Sequence, residues 1–144
     1  MITTLKSFLL FSIWMLALVP VARAQVTGLW TTVDDRDGRA KSVVEIYEQN
    51  GRYFGKVVRL LEEDADSICP KCPGDRKGKP IVGMNILTGL EITPDGGRNG
   101  EVLDPESGSV YSCYIKMLDP GKLKLRGYIG APAFGRTQIW TRSR

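Results

Sequence analysis

Cys69 and Cys72 offer this chain its most versatile chemistry, because two thiols this close can cycle as a dithiol, hold a soft metal or close a disulfide. A catalytic dithiol needs its attacking sulfur at a helix N-terminus, where the backbone stabilises the thiolate. Pro70, Pro73 and Gly74 instead place the pair in a loop, and a structural disulfide is expected. The bridge is either Cys69–Cys72 or a tie from this loop to Cys113, and the third cysteine is then buried in the core or reactive. A zinc site would need a carboxylate as its fourth ligand. The chain has no histidine, which removes Ser-His-Asp and Cys-His catalysis and the commonest zinc and iron ligand sets. Asp34, Asp35 and Asp37 before Gly38, and Asp104-Pro105-Glu106-Ser107-Gly108, carry carboxylates without calcium-loop spacing. Turns account for both. Asn85, between Met84 and Ile86, is either a satisfied amide or a contact that orients a ligand. No catalytic residue, metal site or cofactor is expected.

The scaffold for these residues begins after a leader. Lys6, the apolar run from Phe8 to Val19, Pro20 and Ala22-Arg23-Ala24 read as a secretory signal peptide over residues 1–24, cleaved after Ala24. The apolar run is too short to span a bilayer comfortably, so no transmembrane segment is expected after cleavage. The address is periplasmic or secreted. The mature region, 25–144, suits a single domain with one core. Losing Lys6 and Arg23 lowers 20 basic side chains to 18 against 16 acidic ones, a net charge of +2. So small an excess argues against a nucleic-acid partner. Lys122, Lys124 and Arg126 alternate along one strand and read as a solvated outer face.

No helical period runs through the mature region. Its turns and alternation predict eight strands near 28–34, 42–49, 52–61, 81–89, 99–103, 109–118, 122–129 and 135–142. Short connections favour antiparallel neighbours, and eight strands suffice to close a barrel. The fold class is therefore all-β, a single up-and-down antiparallel barrel. Asn50-Gly51 predicts a type I′ hairpin pairing Gln49 with Arg52, Tyr47 with Phe54, and Glu45 with Lys56. The Glu–Lys pair belongs outside, so Val44, Ile46, Glu48, Tyr53, Gly55 and Val57 face inward. In the second clear hairpin Tyr111, Cys113, Ile115 and Met117 alternate inward, as do Leu123, Leu125, Gly127 and Ile129. The 62–80 segment is a long connection, either a lid over the barrel mouth or a solvated insertion pinned by a disulfide. Gly28-Leu29-Trp30 opens the first strand, and its Trp ring is expected to plug one end of the barrel, leaving the other open.

Six segments carry a resemblance over nearly the whole mature chain. They are Gly28-Leu29-Trp30, Tyr53-Phe54-Gly55-Lys56-Val57-Val58, Lys79-Pro80-Ile81-Val82-Gly83-Met84, Leu103-Asp104-Pro105, Leu125-Arg126-Gly127-Tyr128-Ile129-Gly130, and the stretch from Gly135 to Arg142. The pattern resembles a family of small secreted bacterial proteins catalogued as a domain of unknown function. That resemblance implies a lipocalin-like barrel suited to small apolar or amphipathic molecules. It also implies a basic residue late in the last strand, Arg142 or Arg136, packed across the Trp30 ring.

The functional expectation is an exported barrel binding a small hydrophobic or amphipathic molecule, with no catalysis. Its wall is expected to hold Val44, Ile46, Tyr53, Val57, Tyr111, Ile115, Met117, Leu123 and Leu125, with Trp30 and Arg142 closing the base. The alternative is an envelope interaction protein, or an inhibitor of secreted enzymes, that uses the barrel as a scaffold. Its working surface would be the 62–80 loop and the Tyr47/Phe54 patch.

Overall fold

The computed structural model describes residues 25–144; the expected signal peptide and its cleavage lie outside the described residues. Eight strands run in order: β1 (Gly28–Val33), β2 (Ala40–Gln49), β3 (Arg52–Leu60), β4 (Asn85–Thr93), β5 (Gly96–Leu103), β6 (Val110–Asp119), β7 (Lys122–Tyr128) and β8 (Gly135–Arg142). Each pairs antiparallel with its sequence neighbour, and β1 closes on β8, so the sheet is an up-and-down barrel without a free edge. Among the described residues no helix is long and apolar enough to cross a membrane.

The first hairpin forms in the register its sequence predicts. Asn50 and Gly51 both take positive φ, 51° and 74°, as a type I′ turn requires. Gln49 then faces Arg52, Tyr47 faces Phe54, and Glu45 faces Lys56. On the outer face Tyr47 stacks on Phe54 with centroids 5.9 Å apart.

Strand β4 departs from expectation by running over Asn85–Thr93 rather than 81–89, and β5 begins earlier, at Gly96. Gly83, at φ +93°, turns the chain beside β3, where its amide donates to the Val57 carbonyl. The apolar run at 81–84 therefore belongs to the preceding connection, and Ile81 and Met84 are buried from there. The next reversal is the turn at Pro94 and Asp95.

Glycines decide how full the barrel is near the Trp30 end. A Cβ at Gly55 would lie 2.9 Å from the Leu87 side chain, and one at Gly100 would lie 2.6 Å from Leu90. Leu87 and Leu90 are fully buried against these bare backbones. Together with Trp30, Val44, Ile46, Ile115, Leu123 and Trp140 they belong to one apolar core cluster.

Two of the loops at the opposite end share one construction. In the β1–β2 loop the Asp34 amide donates to the Arg39 carbonyl and the Gly38 amide to the Asp34 carbonyl; in the β5–β6 loop Asp104, Ser109 and Gly108 repeat both bonds. Gly38 and Gly108 take φ of 72° and 74°. The acidic clusters thus form turns, as their residue types suggested.

Candidate functional site

The base is closed by one side chain from the first strand and one from the last. The Arg142 guanidinium lies over the Trp30 ring, 4.2 Å from its centroid. It also donates to the carbonyl oxygens of Gln25, Thr27 and Pro120, tying the N-terminal segment to the β6–β7 turn. The Trp30 indole donates to the Val26 carbonyl at 2.8 Å. Gly28 takes a φ of 126°, a conformation that favours glycine, and a Cβ there would press on the Arg142 guanidinium at 2.9 Å. Arg136, the other candidate for the Trp30 contact, lines the opposite end.

Above this plug is a cavity of about 860 Å³ opening at the other end of the barrel. Its apolar wall comes from Val57, Leu60, Ile81, Ile86, Val102, Leu103 and Leu125, with Tyr111 beside them. Thr32 and Ser42 add a buried polar spot, their hydroxyl oxygens 2.7 Å apart across β1 and β2. Gln138 also lines the wall; its amide donates to Asp35 while its carbonyl accepts from the Trp140 indole.

Of the expected wall residues, the cavity is lined by Val57, Tyr111 and Leu125. Val44, Ile46, Ile115 and Leu123 are fully or almost fully buried in the core cluster, and Tyr53 and Met117 pack against it. Alternation identified them correctly as inward, but they fill the closed half of the barrel. Leu60, Ile86, Val102, Thr32, Ser42 and Gln138 were not singled out from sequence. A positional signal existed: with Trp30 at the base, the mouth receives the ends of odd-numbered strands and the starts of even-numbered ones. Asn85 lies outside the cavity, its side-chain oxygen accepting from the Tyr47 hydroxyl at 2.9 Å; it is the satisfied amide.

Charged side chains cross the rim. Asp34 is buried and accepts from the Arg36 amide, Nε and Nη2, at 2.8, 3.0 and 2.7 Å. These hydrogen bonds from Arg36 hold its carboxyl well below the usual aspartate range. Arg36 and Lys41 reach Glu106 in the β5–β6 loop, at 3.3 and 3.2 Å. Asp34, Asp37 and Glu62 converge closely enough to suggest a cation site, yet Arg36 and Arg39 already neutralise the two aspartates.

Cys69 and Cys72 form a disulfide, and both are buried in the core cluster. The connection around them is pinned rather than loose. Ile68 bridges to Pro80, Cys69 Sγ contacts the Pro105 carbonyl oxygen at 3.2 Å, and Gly108 packs directly on the Lys71 backbone. Glu63, Lys71 and Ile81 from this segment thereby become part of the cavity lining. Cys113 is free and buried, and burial pushes its thiol up to about 12, so its nucleophilic form is suppressed.

Residues 28–142 match the family described as "Uncharacterized protein conserved in bacteria (DUF2147)". The chain belongs to the DUF2147 family. No curated protein matches it. Among solved structures, the DUF2147 barrel is similar to protein HP1028 from the human pathogen Helicobacter pylori, described as belonging to the lipocalin family. The two are 17% identical, superpose with a TM-score of 0.75 and match over 84% of each chain. At that identity the likeness speaks for the lipocalin-like fold.

Proposed function

We propose that this DUF2147 barrel is an exported protein that binds a small apolar or amphipathic molecule without transforming it. The carrying observation is the cavity of about 860 Å³, apolar along its wall and charged around its rim. That volume falls in the range of small-molecule sites, which combine apolar surface with a few polar groups that orient the ligand. An amphipathic molecule would place its apolar part against Ile86, Val102 and Leu125 and its polar end toward Arg36, Lys41 or Arg136. The resemblance to a lipocalin-family structure supports this reading. The disulfide and the buried, protonated Cys113 take the thiols out of reaction, and the reading is binding without catalysis. Export to the periplasm or beyond rests on the leader at residues 1–24.

Native mass spectrometry of gently purified protein, with displacement of a fluorescent fatty-acid probe alongside, tests the proposal. A co-purifying small molecule, or saturable probe binding that competitors displace, supports it. Neither mass shift nor displaceable probe would sink it.

A further inference from the structure

The most exposed large apolar side chains among the described residues stand together beside the cavity mouth. Ile129 is 70% exposed and Phe134 is 74% exposed, at the two ends of the β7–β8 connection. Between them run Gly130, Ala131, Pro132 and Ala133, all exposed and none with a polar side chain. This tip is held outward by its own bonding. The Ile129 amide donates to the Phe134 carbonyl at 3.0 Å and the Phe134 amide to the Ala131 carbonyl at 2.9 Å. From below, Arg126 Nε donates to the Pro132 carbonyl at 2.9 Å and its Nη1 to the Thr137 hydroxyl at 3.0 Å. Holding apolar surface in water costs free energy, and an apolar patch presented this way marks an interaction site.

Charge identifies what covers it. Below the tip, Lys122, Lys124 and Arg126 alternate along the outer face of β7, with Lys116 of β6 opposite Lys124 and ion-paired to Asp95 at 3.8 Å. Among the described residues Lys122, Lys124 and Arg126 form no ion pair, whereas Lys116 does, so an anionic surface would meet uncompensated charge along β7. Neither β7 nor β8 contains a carboxylate. The acidic residues of the mouth lie on other loops: Asp34, Asp35 and Asp37 after β1, where Asp35 accepts from Gln138 of β8, Glu62, Glu63, Asp64 and Asp66 after β3, and Asp104 and Glu106 after β5. An apolar tip backed by one-sided positive charge fits the boundary of an anionic bilayer, where acyl chains receive the tip and phosphates meet the cations. We propose that the barrel docks obliquely on an anionic phospholipid surface through the Ile129–Phe134 tip, with the outer face of β7 against the headgroups. Since Ile129 and Phe134 also line the cavity, the mouth would then open beside the lipid. Docking goes beyond ligand binding and does not depend on it.

Co-sedimentation of residues 25–144, which contain the whole closed barrel, tests the proposal with two vesicle compositions. Pelleting with phosphatidylcholine–phosphatidylglycerol vesicles, weakened by salt and much reduced with phosphatidylcholine alone, is the expected result. Phe134→Ser should weaken pelleting roughly tenfold, because the ring no longer leaves water. Lys122→Glu with Lys124→Glu should weaken it by at least that much on the anionic vesicles. Phe134→Trp should keep binding and shift its emission to the blue when vesicles are added. No pelleting, or pelleting indifferent to these substitutions, overturns the proposal. So does self-association in analytical ultracentrifugation that Phe134→Ser abolishes, since a second copy would then cover the tip. Probe displacement, measured without vesicles, reports ligand binding separately.

Discussion

Lys41 Nζ and Glu106 Oε2 meet at 3.2 Å although 65 residues separate them in the chain. Lys41 is the second residue of β2 and Glu106 sits in the β5–β6 loop, so the contact crosses the mouth of the barrel. Arg36 joins the same carboxylate at 3.3 Å. The result is a charged strap over the cavity, made from two loops of matching construction.

Glu106→Gln should therefore loosen the mouth more than it harms the fold. Exposed ion pairs contribute about 0–1 kcal/mol, so the unfolding midpoint should barely move. Stopped-flow exchange of a bound probe should accelerate by a factor on the order of two to five. An unchanged exchange rate would show that the strap does not limit entry.

At position 127 the wall has room. A Cβ on Gly127 would meet only Val102 and Tyr111, at 3.5 and 3.7 Å. Gly127→Leu should then fold normally while occupying cavity volume, and probe affinity should fall by roughly tenfold or more. Circular dichroism and a binding isotherm measured together check both halves of the expectation.

Closure of the base depends on Arg142. Its removal costs the cation–π contact and three hydrogen bonds to carbonyl oxygens, so Arg142→Ala should destabilise the barrel by about 1–3 kcal/mol in urea unfolding. Arg142→Lys should recover only part, since one ammonium cannot reproduce the planar, branched donor set.

Acid sensitivity should trace in part to Asp34. Its carboxyl titrates lower in the folded protein than in the unfolded chain, because Arg36 binds the ionised form. The associated stability is complete above the unfolded-state value of about 4 and is lost as pH falls below it. Asp34→Asn should flatten that acid limb of the stability–pH curve relative to wild type. An identical limb in both proteins would remove Asp34 from the account.

Cys113 should resist alkylation in the native protein at mildly alkaline pH, because its thiol stays protonated and buried. Mass spectrometry should find no adduct on residues 25–144 in buffer and one in denaturant, with Cys69 and Cys72 protected by their bridge.

Local sequence was enough to dictate the barrel: period-two alternation separates inside from outside, and Asn50-Gly51 sets a register because few residues accept two positive φ angles in succession. It also marked the base through Gly28 and Trp30, whereas the late basic residue was implied only by the family resemblance and the pairing of β8 with β1 chose Arg142 over Arg136. Alternation failed at β4, where buried Ile81 and Met84 looked like strand residues while belonging to a connection. Where the barrel is hollow emerges only in three dimensions. Val44 and Leu125 both face inward, but Val44 is fully buried in the closed half while Leu125 borders the cavity. The difference lies in which side chains from distant strands occupy the same level, such as Leu90 seated against Gly100. The Lys41–Glu106 strap was equally hidden, because barrel closure, not local sequence, brings its two charges together.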